Sequence, residues 1–271
     1  MADKASHLDS CVPISDRGLA YGHGVFETLE ARDGQLPHWP RHWRRLTEGC
    51  RRLHLHMPME TELLPELLRA SPPDGRHVVK LVYTAGDGER GYRIPSELTP
   101  RLLIDIRPWP IYPSSHTLKG VAVRLCHTRL PDDPALAGIK HLNRLHQVLA
   151  RAEWDDDTIV EGLLADSNGN LVEGSMSNLF WIEGDRLLTP DLDRCGVAGI
   201  MRERILDWAR ANAVETSIET LEPERLHQAD GALLCNSLIG IWPVRRIETQ
   251  DMPPFPPLIG TLCRAVREGT C

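Results

Sequence analysis

No apolar run in the 271-residue chain approaches the roughly 18 residues needed to cross a bilayer, so no transmembrane helix is expected. Residues 1–10, MADKASHLDS, lack the apolar stretch of a secretory signal. The seven cysteines include no CxxC pair. An odd number of scattered thiols without a signal reads as a reduced, cytosolic protein. The twelve histidines include no HExxH. His54 and His56 alternate in RRLHLHMP, a spacing that puts both on one face of a strand. With no third ligand nearby, they read as a surface pair rather than a metal site. Positive charge is also in deficit, with 31 basic residues against 38 acidic and a net charge of −7. Bulk electrostatics therefore do not recruit nucleic acid, and an anionic ligand has to be met by a local cluster of Arg or Lys. Internal repeats and low-complexity tracts are absent.

The composition that remains is that of a globular protein, 41% hydrophobic and 25% charged. The length suits two domains or one large one with a sizeable core. After the turn-like PISDRGLAYGHG comes VFETLEARDGQLPHW, in which Asp33-Gly34 signals a hairpin. PRHWRRLTEGCRRLHL spaces Trp43, Leu46 and Leu53 as a helix does, with Pro40 near its start. TELLPELLRA reads as a second short helix, and RHVVKLVYTAG and PRLLIDIRPW as strands flanking the loop GDGERGYR. Three prolines in PWPIYPSSH mark a boundary. The expected division is a small N-terminal domain over 1–110, a linker over 111–118 and a C-terminal domain over 119–271. In the second part GVAVRLCHTRL reads as a strand. HLNRLHQVLARAEW reads as a helix with Leu142, Leu145, Val148 and Leu149 on one face. IVEGLLADSNGNLVEGSMSNLFWIEGDRLLTP reads as strands turning at Asn168-Gly169 and Glu183-Gly184. GIMRERILDWARAN is an amphipathic helix, and ALLCNSLIGIWPVRRI returns to strand. Strands outnumber helices and come in hairpins, which points to an α+β fold rather than a doubly wound parallel sheet.

Four sets of residues can carry chemistry. Lys140, in LAGIKHLNRL, follows a Gly and an apolar residue between a strand and a helix. A lysine desolvated there can have the lowered pKa that Schiff-base chemistry needs, whereas a solvated lysine is only a surface charge. Glu173, in NLVEGSMSNLFW, is either an exposed turn residue or an inward carboxylate able to face a pyridinium nitrogen. Gly196 and Gly199 in CGVAGIMRERIL precede a helix, and Asn236-Ser237 end a strand. Both places suit a phosphate, and both also suit an ordinary helix start or strand-loop junction. Arg45 in HWRRL and Arg90 in GERGY can each hold a phosphate or carboxylate in a bidentate fork. Composition does not single either out.

In order and spacing these pieces resemble the fold-type IV pyridoxal-phosphate enzymes, a family of branched-chain and D-amino-acid aminotransferases and aminodeoxychorismate lyases. The motifs that carry the resemblance are YGHGVFET, HWRRL, GIKHLNRL, and LVEGSMSNLFW with GVAGIMRERIL. The resemblance implies a two-domain α+β architecture, a small N-terminal α/β domain and a larger β-rich C-terminal domain with pyridoxal 5′-phosphate between them. It also implies a cytoplasmic homodimer in which loops of the small domain reach the partner's site. It makes Lys140 the covalent anchor of the cofactor and the proton-transfer base, and Glu173 the partner of the pyridine nitrogen. Arg45, the backbone N–H groups of Ile200 and Met201, and Asn236 with Ser237 would hold the phosphate. Aminotransferases often carry Thr where Met201 stands, so here only a backbone contact is expected. KHLNRL, GIMR and Thr28 resemble the lyase branch, which converts 4-amino-4-deoxychorismate to 4-aminobenzoate and pyruvate. Arg90 would meet a substrate carboxylate, and Thr28 would position Lys140 or the leaving group. The alternative on this scaffold is a branched-chain or D-amino-acid aminotransferase; an alternative of another class is a phosphate-binding scaffold without catalysis. His23 departs from the Asp of many relatives, and its role is open at this point.

Overall fold

The computed structural model describes residues 11–271, so the expectation about a leader in residues 1–10 lies outside the described residues. The chain divides into two compact units, one of Met1–Ile111 with Ile139–Asn143, the other of Tyr112–Gly138 with Arg144–Cys271. Each is described by itself.

The first unit contains α1 (Arg17–Tyr21), β1 (Gly24–Arg32), α2 (Trp39–Arg52), α3 (Glu60–Ala70), β2 (Arg76–Thr84) and β3 (Arg101–Pro108). The three strands form an antiparallel sheet in the order β1-β2-β3, which leaves one edge of β1 without a strand partner. Along β1 the buried residues alternate: Val25, Glu27, Leu29 and Ala31 lie on one face, Phe26, Thr28 and Glu30 on the other. The burial spacing of α2 is helical, with Trp39, His42, Leu46, Gly49 and Cys50 inward. Together with Leu63 and Leu67 of α3 and Val79 and Leu81 of β2, these residues make the core of this unit.

Asp33 and Gly34 do turn the chain, both at positive φ, and Arg32 and Gln35 exchange backbone hydrogen bonds. The expected return strand does not follow. Pro37 and Pro40 withhold two N–H groups from a ladder, and β1 pairs instead with β2, from Gly24↔Thr84 to Arg32↔Arg76. His54 and His56 are exposed in the turn after α2 rather than in a strand, and His54 is left-handed. Among the described residues no cluster of three His, Cys, Asp or Glu side chains is placed to hold a metal.

The second unit contains α4 (Ser114–Leu118), β4 (Val121–Arg129), α5 (Leu145–Arg151), β5 (Ile159–Ala165), β6 (Leu171–Gly174), β7 (Asn178–Glu183) and β8 (Arg186–Pro190). Then follow α6 (Ile200–Ala211), β9 (Thr216–Glu219), α7 (Pro223–Gln228), β10 (Gly231–Asn236), β11 (Gly240–Ile247), β12 (Gln250–Asp251) and α8 (Pro257–Glu268). The order β10-β11-β4-β5-β6-β7, with β7 pairing back onto β10, closes a six-stranded barrel. Closure removes free edges and leaves an interior to be filled by alternate side chains. Val123, Leu163, Leu179, Trp181, Leu234 and Trp242 belong to the cluster that fills it. Outside, α6 and α8 cover Phe180, Ile182, Leu233 and Cys235.

Hairpins are not the whole of this unit. β4 and β5 run parallel with α5 between them, and β8 and β9 run parallel with α6 between them. The segment ALLCNSLIGIWPVRRI is two strands, because Asn236 accepts from the N–H groups of Leu238 and Ile239 and Gly240 takes positive φ. The helix read in HLNRLHQVLARAEW is confined to Leu145–Arg151. Leu145, Val148 and Leu149 are exposed and Ala150 is its buried residue. Among the described residues no helix is long and apolar enough to cross a membrane, and none of the cysteines is joined in a disulfide.

Phe180 is wholly buried against both helices. Phe180→Ala is expected to destabilise the protein by about 3–5 kcal/mol, measured by urea unfolding, because the barrel cannot collapse into the void.

Candidate active site

In the first unit, the segment around Lys140 is neither strand nor helix, but its backbone is fixed. The Phe26 N–H donates to the Lys140 carbonyl at 2.9 Å, and the Leu142 N–H donates to the Gly24 carbonyl at 3.0 Å. Residues 140–142 thus dock as a short antiparallel piece on the open edge of β1, with a bridge at Val25↔His141. This pairing is why the helix expected from His141 onward does not start there. The Lys140 Nζ lies 4.4 Å from the centroid of the Phe26 ring, a cation–π distance. Thr28, two residues along β1, shares the face of Phe26.

The opposite face of β1 carries Glu27, which the motifs did not single out. Its carboxylate is 1% exposed and takes the Arg45 guanidinium in a fork, Nε to Oε1 at 2.8 Å and NH2 to Oε2 at 2.6 Å. His42 Nδ1 is 2.7 Å from Oε2. Burial alone would raise the Glu27 pKa, but the charge of Arg45 and the hydrogen bonds from Arg45 and His42 outweigh it and hold the carboxyl at about 2. Arg45, the expected phosphate ligand, is therefore oriented by a buried acid on the neighbouring strand. The sequence signal was there to read: an acidic residue at an inward position of an alternating strand, and His42 and Arg45 on one face of a helix three residues apart. Arg90 is exposed in the loop between β2 and β3.

In the second unit, Glu173 lies in β6 and is 4% exposed, which excludes the reading as a turn residue. Its Oε2 accepts from the Val197 N–H at 2.8 Å. Gly196 is at positive φ, and a Cβ there would fall 3.3 Å from the same oxygen, so glycine lets the backbone come close to the carboxylate. Gly199 caps α6 without any side-chain bond to the first turn. Ile200 and Met201 therefore present backbone N–H groups at the positive end of a twelve-residue helix. The Met201 side chain packs into the cluster of Phe180 and Ile205, so the backbone is what it can offer an anion.

Asn236 does not point its carboxamide at open space. Its Oδ1 caps the β10–β11 turn and its Nδ2 donates to the Met176 carbonyl at 2.9 Å. Ser237 follows in that turn, half-buried. Glu161, also missed by the motifs, organises the loop between β6 and β7. It is 1% exposed and accepts from the Ser175 Oγ and N–H, the Met176 N–H and the Ser177 Oγ. Burial pushes its pKa up, against those hydrogen bonds. The candidate residues thus divide between the units: Thr28, Arg45, Arg90 and Lys140 in the first, and Glu173, Ile200, Met201, Asn236 and Ser237 in the second.

Residues 24–247 match the family model for amino-transferase class IV. The chain belongs to the class IV aminotransferase family. The family uses pyridoxal phosphate. The chain is 33% identical over 257 residues to an aminodeoxychorismate lyase of Vibrio harveyi, covering 94% of each. A 4-amino-4-deoxychorismate lyase structure from Pseudomonas aeruginosa superposes with a TM-score of 0.91 at 44% identity, covering 98% of each chain. A branched-chain amino acid aminotransferase of Escherichia coli superposes with a TM-score of 0.85, covering 96% of this chain and 89% of that one, at 21% identity. That likeness speaks for the fold alone. The architecture is the fold-type IV arrangement, a small antiparallel N-terminal sheet and a larger C-terminal barrel.

The depressed pKa of Glu27 has a consequence for stability. The charged form is favoured by folding, so its contribution is present above the ordinary carboxyl pKa of 4.5 and is lost as pH falls toward 2. Glu27→Gln is expected to cost about 3 kcal/mol near neutral pH. The gap to wild type should narrow as urea unfolding is repeated from pH 5 down to pH 3; a gap independent of pH would contradict the assignment.

Proposed function

We propose that this chain is a 4-amino-4-deoxychorismate lyase, which eliminates pyruvate from its substrate and leaves 4-aminobenzoate. The observation that carries the reading is the 44% identity over 98% of the chain to the Pseudomonas aeruginosa lyase. The residues present fit pyridoxal 5′-phosphate. An uncapped N-terminus of α6 suits its phosphate, a buried carboxylate at Glu173 suits its ring nitrogen, and Lys140 supplies the amine. When bound, the cofactor supplies an electron sink for the carbon that bears the substrate amine.

In this reading Lys140 would hold the cofactor through Nζ, and the same Nζ would act as the base. Its Nζ takes the proton from C4 of the substrate. The C–O bond at the neighbouring carbon breaks, and the departing enolpyruvyl oxygen keeps the electron pair and takes back the proton from Nζ, giving the enol of pyruvate, which tautomerises. The new double bond completes an aromatic ring, which drives the step. Glu173, whose Oε2 accepts from the Val197 N–H, would face the ring nitrogen. Arg45, whose guanidinium plane is fixed by Glu27, would bind the phosphate. The N–H groups of Ile200 and Met201, and Asn236 with Ser237, would bind the phosphate as well. Thr28, beside Phe26 on β1, positions Lys140 or the leaving group, and Arg90 binds a substrate carboxylate. The boundary between domains is placed at 111–118, and the working form is a homodimer, for which exposed Leu145, Val148 and Leu149 offer apolar surface.

The test is to incubate the enzyme with aminodeoxychorismate and no oxo-acid acceptor. 4-Aminobenzoate and pyruvate are expected in equal amounts. Lys140→Ala should abolish both the product and the visible cofactor absorbance, and Thr28→Ala should lower turnover by about 10-fold or more. Transamination of branched-chain or D-amino acids without 4-aminobenzoate would replace this reading with the aminotransferase one.

A further inference from the structure

Two segments of the first unit run side by side, and a buried guanidinium joins them. The Arg17 N–H donates to the Gly86 carbonyl at 2.8 Å, the Gly88 N–H donates to the Ser15 carbonyl at 3.1 Å, and Asp16 bridges to Asp87. The side chain of Asp16 caps α1 through Oδ1 and takes Thr84 and Arg101 on Oδ2. Arg17, 4% exposed, reaches further along the loop. Its NH1 donates to the Gly91 carbonyl at 3.2 Å and its NH2 to the Tyr92 carbonyl at 3.3 Å. Its guanidinium lies 5.1 Å from the Tyr21 ring centroid, and the Tyr21 ring lies 5.3 Å from that of Tyr92. The Tyr21 hydroxyl in turn accepts from the Gly91 N–H at 3.3 Å.

The third nitrogen, Nε, donates to His23 Nδ1 at 3.2 Å, while His23 Nε2 is 2.8 Å from the Leu53 carbonyl. A guanidinium cannot accept, so Nδ1 is bare and Nε2 carries the hydrogen donated to Leu53. Burial lowers the His23 pKa, with the charges of Arg17 and His54 acting in the same direction against the Leu53 bond, so the neutral ring is kept. This gives His23 a use that an acidic residue at that place would fill differently. It orients Arg17 from behind and ties it to the chain just after α2.

The pinned positions flank Arg90. Gly88 is held two residues before it, and Gly91 and Tyr92 directly after it, while Arg90 itself is exposed. Gly88 is glycine for a steric reason: a Cβ there would fall 2.6 Å from Arg17 Cδ, where the stem of the arginine passes. A loop with glycines at 86, 88 and 91 is costly to order at the moment of binding unless something orders it beforehand.

We infer that Arg17 is a positioning residue that pre-orders the loop at 88–92, so that Arg90 is presented to a substrate carboxylate. The inference rests on the role of Arg90 proposed above. The fork of a guanidinium spans two successive carbonyls while stacking on Tyr21; an ammonium reaches one of them.

The test uses the holoenzyme, with KM and kcat for aminodeoxychorismate and hydrogen–deuterium exchange of residues 88–92. Arg17→Gln and Arg17→Lys should raise KM by about 10-fold, with the loss falling on KM more than on kcat, and should speed exchange in the loop. Tyr21→Phe, which removes a single hydrogen bond from a partly exposed ring, should do the same to a smaller degree and guards against a misfolded Arg17 variant. Adding Arg90→Ala to Arg17→Gln should raise KM no further than Arg90→Ala alone. If Arg90→Ala raises KM while Arg17→Lys and Tyr21→Phe leave both KM and loop exchange at wild-type values, the inference is overturned and the reading of Arg90 stands. If Arg90→Ala leaves KM unchanged, the reading of Arg90 falls and takes the presentation of a carboxylate ligand with it.

Discussion

The backbone pairing between β1 and residues 140–142 is the contact on which the first unit's share of the chemistry depends. Lys140 is in no helix and no regular strand, and a long side chain on an unsupported segment would sample many positions. Two hydrogen bonds to Phe26 and Gly24 remove that freedom at the Cα, and the ring of Phe26 then lies under the ammonium. The same residue of β1 supplies the N–H that fixes the lysine backbone and the ring that faces its Nζ. The open edge of β1, normally a liability in a sheet, is paired by this docking over Gly24–Phe26.

β1 also divides two kinds of work between its faces. The period of two puts Phe26 and Thr28 on one side and Glu27 on the other. On the Glu27 side, a carboxylate and a guanidinium are removed from water together, which is costly unless their geometry is good and their remaining valences are met. The fork to Arg45 and the His42 contact meet those conditions. The result is an arginine whose plane is set by its partner and does not have to be ordered when an anion arrives. Glu161 plays a comparable part in the second unit, where one buried carboxylate gathers the N–H and hydroxyl groups of residues 175–177 between the strand that bears Glu173 and the strand that follows.

Much of this was legible in the chain. Alternation in VFETLEAR, helical spacing in α2 and α6, and the ordered motifs around Lys140, Glu173 and Gly199 were enough for the fold class and for the family's chemistry. Asp33-Gly34 promised a hairpin and made only a turn, because a more distant strand, β2, competed for β1. Leu142 and Leu145 sit at helical spacing, yet residues 140–142 gain more by pairing with an open edge than by adding a turn to α5. Leu145, Val148 and Leu149 formed an apolar face on paper that the folded chain leaves in solvent. In the first two cases local propensity lost to a contact far away in sequence.

The sequence by itself determined which side chains are available: a lysine after Gly138-Ile139, an acid at Glu173, glycines before α6, and arginines at 45 and 90. These follow from residue identity and short-range spacing, which local physics can read. The tertiary structure decided what each of them is bound to. It put Glu27 against Arg45, Val197 against Glu173, Met176 against Asn236, and Arg17 against the loop of Arg90. Partners such as Arg17 and Gly91 are 74 residues apart, and no periodicity carries information over that distance; only the closing of the sheet and the barrel brings such groups within hydrogen-bonding reach.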